Sequence, residues 1–169
     1  MYNMNVKVVR IFNTYGPRMR VDDGRVVSNF IVQALRGDPI TIYGDGSQTR
    51  SFCFVSDLIR AIIAVNNTDA DVAGPFNIGN PQEVTVLELA QKVQQAVGTN
   101  QPLVFEETPT DDPRRRKPDI TRVHEATGWQ PTVPLSEGLA STVAYFRKAI
   151  TDVPANVPEM QPVPREQRG

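Results

Sequence analysis

The sequence predicts an α/β fold that continues into a small α+β lobe, on three observations. The first is a nearly continuous apolar run, Val6, Val8, Val9, Ile11 and Phe12, which reads as a strand covered on both faces. The second is a helical spacing of apolar residues after the polar loop that follows, at Val26, Val27, Phe30, Ile31, Ala34 and Leu35. The third is the change beyond Pro39 to short, turn-bounded strands mixed with helices.

The helix over Arg25–Leu35 is stopped by Gly37 and Pro39. Pro39-Ile40-Thr41-Ile42-Tyr43 then predicts a short strand running into a Gly44-Asp45-Gly46 turn. Ser51–Val55 predicts another strand, with Ser56 as the N-cap of a helix carrying Leu58, Ile59, Ala61, Ile62, Ile63 and Val65. Pro75–Gly79 is short and bounded by turns. Val86, Leu87, Leu89, Ala90, Val93 and Val97 predict a helix over Thr85–Val97, opened by a Thr85/Glu88 capping box and closed by Gly98. Two further helices are expected over Ile120–Thr127 and Leu135–Ala149, separated by Trp129 and Pro131. Residues 151–169, with Pro154, Pro158, Pro162 and Pro164 and no repeating apolar face, predict a disordered tail.

With 169 residues the chain can bury one modest core. A formal net charge of −1 supplies no broad electrostatic footprint for nucleic acid or an acidic membrane, so neither is an expected partner. Positive charge is clustered only at Arg114-Arg115-Arg116-Lys117. The single cysteine, Cys53, excludes an internal disulfide and a cysteine-rich zinc site, and suits a reducing compartment. No apolar run is long enough to cross a bilayer, and Met1–Asn5 lack the basic and apolar regions of a signal peptide. The expectation is a cytoplasmic protein without a metal.

Four segments carry side chains suited to an anionic ligand. The Asn13–Arg25 loop combines an amide, a hydroxyl, two glycines and Arg18, Arg20 and Arg25, a set able to approach a diphosphate and offset its charge. Composition alone favours the plainer reading, a solvated loop whose Asn and Gly make turns. Val26-Val27-Ser28-Asn29-Phe30 opens a helix, where free backbone N–H groups favour an anion; the same residues read equally as core with one outward amide. Tyr43-Gly44-Asp45-Gly46-Ser47-Gln48-Thr49-Arg50 offers an aromatic ring and an arginine around a turn that would also suit any hairpin. Asp111-Asp112-Pro113-Arg114-Arg115-Arg116-Lys117-Pro118-Asp119 reads, as bare sequence, as a solvated charge run. His124 has no second ligand nearby, Cys53 lies between two phenylalanines, and Ser28, Ser47 and Ser56 have no credible base, so these are packing or surface residues. Trp129 is expected to pack.

Val8-Val9-Arg10-Ile11-Phe12-Asn13-Thr14-Tyr15-Gly16-Pro17-Arg18-Met19 resembles the strand-end segment of extended short-chain dehydrogenase/reductases acting on nucleotide sugars. Together with the Val26–Phe30, Tyr43–Arg50 and Arg116-Lys117-Pro118 motifs, it is similar to the UDP-glucuronate decarboxylases. The resemblance covers roughly residues 6–150. It implies the C-terminal part of a Rossmann-type fold, with residues 1–150 mixing the end of the sheet with a substrate-binding lobe. It further implies that Thr14, Arg20 and Arg25 face NAD, and that Asn13, Val26, Val27, Ser28, Asn29, Phe30, Tyr43 and Arg50 contact UDP-glucuronate or UDP-xylose. Arg116, as the arginine near the sugar carboxylate, is implied as both a substrate-binding and a catalytic residue.

In that family the glycine-rich NAD fingerprint and the Tyr-x-x-x-Lys pair precede this segment, and neither motif occurs here. The resemblance therefore implies a chain that needs an N-terminal Rossmann half, is inactive alone, and forms a homodimer when complete. Two alternatives stay open: a free-standing nucleotide-sugar-binding module, and part of a dTDP-sugar dehydratase or UDP-sugar epimerase.

Overall fold

The computed structural model of the protein describes residues 5–107 and 115–152. The chain begins with β1 (Val9–Ile11) and β2 (Thr14–Tyr15), then α1 (Val26–Arg36), β3 (Ile40–Tyr43), β4 (Thr49–Ser51) and β5 (Cys53–Phe54). It continues through α2 (Val55–Asn66), β6 (Phe76–Ile78), β7 (Glu83–Thr85), α3 (Val86–Val97), β8 (Leu103–Glu106), β9 (Arg115–Arg116), α4 (Thr121–Thr127) and α5 (Leu135–Asp152). Parallel pairing predominates: β1 with β6, β2 with β5, β3 with β8, and β4 with β9. Among the described residues, only β4 with β7 is antiparallel. The α/β class expected from the sequence is what the chain adopts.

α1 forms where its apolar stripe predicts, and Gly37 ends it in the left-handed conformation (φ 81°), its N–H returning to the carbonyls of Ala34 and Gln33. α3 opens on the expected capping box. The Thr85 hydroxyl accepts from the Glu88 N–H at 3.1 Å, while the Glu88 carboxylate accepts from the Thr85 N–H at 2.8 Å. α1 and α3 pack on β3 and α5 packs on both helices, burying Phe30, Ile31, Ile40, Ile42, Leu89, Val93, Leu139 and Phe146 in one core. A second core joins α2, α4 and β6 through Leu58, Ala61, Phe76, Ile78, Val123 and Trp129.

Three local expectations are corrected. Ser51–Val55 is not one strand, because β4 and β5 belong to different sheets and Phe52 lies between them. Ser56 is not an N-cap: the backbone enters α2 directly from extended Phe54, leaving Ser56 inside the first turn. The Val6–Phe12 run forms only a three-residue strand, and it is not covered on both faces, since Val8 is 49% and Ile11 55% exposed. Exposed Ile59 and Ile63, one helical turn apart on α2, show another apolar surface. The sequence also left β8 unread. Of the expected tail, residues 153–169 lie outside the described residues, and α5 runs on to Asp152.

A buried carboxylate joins distant parts of the chain. Asp57, fully buried on α2, accepts hydrogen bonds from the backbone N–H groups of Thr132 and Val133, both at 3.0 Å, and from the Arg60 guanidinium. The indole of Trp129 donates to the Asp57 carbonyl at 3.1 Å. The turn before α5 is thereby pinned to α2, and Trp129 packs as expected.

Candidate functional site

A cleft of about 270 Å³ opens between α1 and the β3–β8 pair. Its helical wall carries Val26, Asn29, Phe30 and Gln33, the i, i+3, i+4, i+7 set that shares one helix face. Its sheet wall follows from strand alternation: Ile40 and Ile42 point into the core, so Thr41 and Tyr43 point the other way. Glu106, registered directly opposite Tyr43, completes that wall. A second cleft, of about 130 Å³, is bordered by Asn13, Thr14, Arg25, Val26, Val27 and Arg50, with Met19 and Phe52. Val26 and Arg50 line both, so they mark the junction.

Arg50 is only 8% exposed, and its Nη1 donates to the Thr49 carbonyl at 2.8 Å. A guanidinium at the meeting point of two clefts offers planar, charge-assisted donors there. On the side of the second cleft, Asn13 donates from Nδ2 to the Ser51 carbonyl at 3.3 Å, and Thr14 donates to the Phe12 carbonyl at 2.9 Å. Arg25, at the N-cap of α1, is paired with Asp23, whose hydrogen bond pushes the guanidinium pKa further up; its Nη1 also reaches the Thr14 carbonyl at 3.5 Å. Asn29 donates from Nδ2 to the Gly24 carbonyl at 3.2 Å.

The structure therefore gathers Asn13, Thr14, Arg25, Val26, Val27, Asn29, Phe30, Tyr43 and Arg50 around two adjoining clefts. Two expected residues stand apart. Ser28 is fully buried, its hydroxyl donating to the Arg25 carbonyl at 2.8 Å within the first turn of α1. Arg20 borders neither cleft and forms a two-point, solvent-exposed pair with Asp22, at 2.9 and 2.7 Å. The backbone of Arg116 pairs directly across from Arg50 in the β4–β9 ladder, and its side chain lies outside the described residues. Gln33, Thr41 and Glu106 line the first cleft without having been singled out in the sequence, and Gln48, inside the Tyr43–Arg50 motif, lines it too. Isolated polar residues on a helix or strand face carry no motif, and Glu106 sits on the unread strand.

Of the residues set aside, Ser28 and Cys53 are buried, while Ser47, Ser56 and His124 are exposed. His124 Nδ1 lies 3.2 Å from the Trp129 carbonyl, and among the described residues no cluster of metal-ligating side chains occurs. No described helix is long and apolar enough to cross a membrane. Cys53 is fully buried, and burial, reinforced by Asp57, pushes its thiol up to about 12 from an ordinary 9.0. Because the folded value is the raised one, the stabilisation is complete below pH 9 and is lost as pH climbs from there to about 12. At pH 8 the native protein is expected to leave a thiol-reactive dye unconsumed and to react with it once unfolded by urea. Rapid stoichiometric labelling of the folded chain would contradict the buried placement.

Comparisons with known proteins agree on one relationship. The family model for the NAD dependent epimerase/dehydratase family matches residues 1–79. UDP-glucuronic acid decarboxylase 4 of Arabidopsis thaliana is 53% identical over 148 residues, which is 88% of this chain and 33% of that protein. UDP-glucuronic acid decarboxylase 1 of Xenopus tropicalis is 50% identical over 147 residues, covering 87% of this chain and 34% of the relative. The chain thus spans about a third of the length of these curated relatives. Among solved structures, UDP-glucose 4-epimerase of Thermotoga maritima with UDP-glucose superposes at a TM-score of 0.79 and 35% identity, over 85% of this chain and 46% of that one. UDP-glucuronic acid 4-epimerase of Bacillus cereus, in complex with UDP-glucuronic acid and NAD, superposes equally at 0.79 and 30% identity, over 86% and 46%. Family model, sequence relatives and Rossmann-type structural neighbours converge: over its matched residues the chain is similar to the NAD dependent epimerase/dehydratase family.

Proposed function

We propose that this chain is the substrate-binding part of an NAD-dependent UDP-glucuronate decarboxylase, a lyase converting UDP-glucuronate to UDP-xylose and carbon dioxide. The observation carrying this reading is the near-buried Arg50 at the junction of two clefts, in a chain about half identical to UDP-glucuronic acid decarboxylases. Identity to those decarboxylases exceeds that to the epimerases of known structure, 53% against 35%, which favours loss of the carboxylate over inversion at the sugar.

Arg50 and Asn13 would face the diphosphate, with Val26, Asn29, Phe30 and Tyr43 lining the nucleoside side. Arg116, one strand over from Arg50, would take the sugar carboxylate through the two-point geometry that guanidinium offers and help direct proton delivery after carbon dioxide leaves. Thr14 and Arg25 would face NAD, with Arg20 at the margin. The donor chemistry of the second cleft fits an anionic cofactor, yet at about 130 Å³ it falls below the ~300 Å³ at which sites begin to enclose a small ligand, so these residues form one wall only. Bound NAD would supply reversible hydride acceptance at the sugar, which makes the carboxylate β to a ketone and able to leave.

The exposed Val6, Val8, Ile11, Ile59 and Ile63 fit the same reading. They would be covered by the sheet and helices that the relatives carry outside the matched segment, in a protein that dimerises and works in the cytoplasm. A segment exchange tests the activity. Residues of this chain are placed in the Arabidopsis thaliana decarboxylase 4 in place of the 148 residues they match. Given UDP-glucuronate, the chimera should release carbon dioxide and a UDP-pentose; an isomerised UDP-hexuronate without carbon dioxide would favour an epimerase and sink the decarboxylase assignment.

A further inference from the structure

The strand that carries Arg116 is too short to hold itself in place. β9 has two residues, and its register sets Arg115 beside Thr49 and Arg116 beside Arg50 on the central strand β4. Neighbouring strands lie about 4.7–4.9 Å apart, so two arginines stand level at one step of the ladder, with Arg115 and Lys117 flanking Arg116 along the chain. Like charges at that spacing push β9 away from β4. A contact outside the backbone ladder has to oppose them.

Glu83 on β7, the other neighbour of β4, reaches across the sheet to do so. It pairs with Ser51 in the β4–β7 ladder and so stands diagonal to Thr49. Its Oε1 accepts from the Thr49 hydroxyl at 2.8 Å, and its Oε2 lies 3.9 Å from the Lys117 ammonium. One carboxylate thereby spans β4 and ends on the residue next to Arg116. The Glu83 side chain is 17% exposed, so solvent and salt screen this contact less than they would at an open surface, although Lys117 is itself 44% exposed. The chain beyond is fixed to a different sheet. Pro118 is buried against Gly79, where a Cβ would come within 2.9 Å of Pro118 Cγ, and Asn77 of β6 donates from Nδ2 to the Asp119 carbonyl at 3.1 Å. Those contacts tie the segment to β6, whereas Glu83 ties it to the sheet that holds Arg50.

Resting on the assignment of Arg116 to the sugar carboxylate made above, we propose that Glu83 is a positioning residue. By holding Lys117 across β4 it keeps Arg116 beside Arg50, and so sets the preference for a nucleotide-linked sugar acid over the neutral nucleotide sugar. The full chain is titrated by calorimetry with UDP, UDP-glucose and UDP-glucuronate, and the set is repeated on Glu83→Gln, Lys117→Met and the double variant, each with a thermal melt. Glu83→Gln keeps an acceptor for the Thr49 hydroxyl and loses the charge that holds Lys117. The ratio of UDP-glucuronate to UDP-glucose affinity should fall about 2- to 5-fold, the worth of a partly exposed ion pair, while UDP affinity should not fall. The sign is diagnostic. Removing a negative charge near an anion site by itself favours the more negative ligand, so charge without positioning predicts a rise in that ratio. The double variant should match Lys117→Met, because the two side chains act through one contact. A substitution that only loosened the sheet would lower the melting midpoint and all three affinities together. A ratio that rises or stays unchanged in Glu83→Gln, a double variant whose ratio lies below that of Lys117→Met, or a joint fall of all three affinities overturns the inference alone. Should the unsubstituted chain bind UDP-glucuronate no better than UDP-glucose, the carboxylate role of Arg116 fails, and this inference with it.

Discussion

Replacing Asp57 by alanine is expected to lower the stability of the chain by about 2–6 kcal/mol, the cost of stranding two buried backbone donors. The carboxylate is fully buried and carries two backbone N–H groups, those of Thr132 and Val133, each at 3.0 Å. Alanine leaves both donors without an acceptor, and each such loss costs about 1–3 kcal/mol when water cannot replace it. Arg60 loses its partner too, but it is half exposed and can turn to solvent. Urea melts of the purified chain decide the matter. Asp57→Asn, which retains one carbonyl oxygen, should fall between the two. Asp22→Ala serves as the control, because the Arg20–Asp22 pair is solvent-exposed on both sides and should leave the midpoint unchanged. An Asp57→Ala midpoint equal to the parent would show that the turn before α5 holds without this carboxylate.

Asp57 also marks where sequence reasoning stopped. α1 and α3 were legible because an apolar stripe, a capping box and a terminal glycine are local signals, each read within one or two helical turns. The partners of Asp57 lie 75 and 76 residues away, and nothing near Asp57 announces them. For the same reason Ser56 looked like an N-cap while the backbone took its turn one residue earlier, and Phe52 looked like mid-strand while the chain was passing between sheets. The apolar run at Val6–Phe12 carried a different message: its composition matches a strand buried on both faces, and the exposure of Val8 and Ile11 shows surface for which the described residues provide no cover. In the site, the residues within recognisable motifs came together at the two clefts, whereas Gln33, Thr41 and Glu106 became visible only when α1, β3 and β8 were placed side by side. Arg20 and Ser28 illustrate the converse, since membership in a motif placed neither at a cleft wall.

Arg50→Ala should weaken UDP binding by about 10- to 100-fold, corresponding to the ~1.5–3 kcal/mol of a hydrogen bond to a charged group. The effect follows from position: the guanidinium is nearly buried where the two clefts meet, so water cannot take its place on a phosphate as it could at an open surface. UDP and UDP-glucuronate should lose affinity alike, because the diphosphate is common to both, and uridine, which lacks it, should not change. Arg50→Lys should recover only part of the loss, since an ammonium keeps the charge without the planar fork. The backbone of Arg50 lies between β7 and β9, so a thermal melt must accompany the titration to show that the three-stranded sheet survives. Arg116→Lys in the segment-exchanged enzyme supplies the contrast: decarboxylation should slow while UDP affinity is kept, if that side chain meets the sugar carboxylate. Should Arg116→Lys instead lower UDP affinity and spare the rate, both arginines bind phosphate, and the carboxylate must be held by another residue.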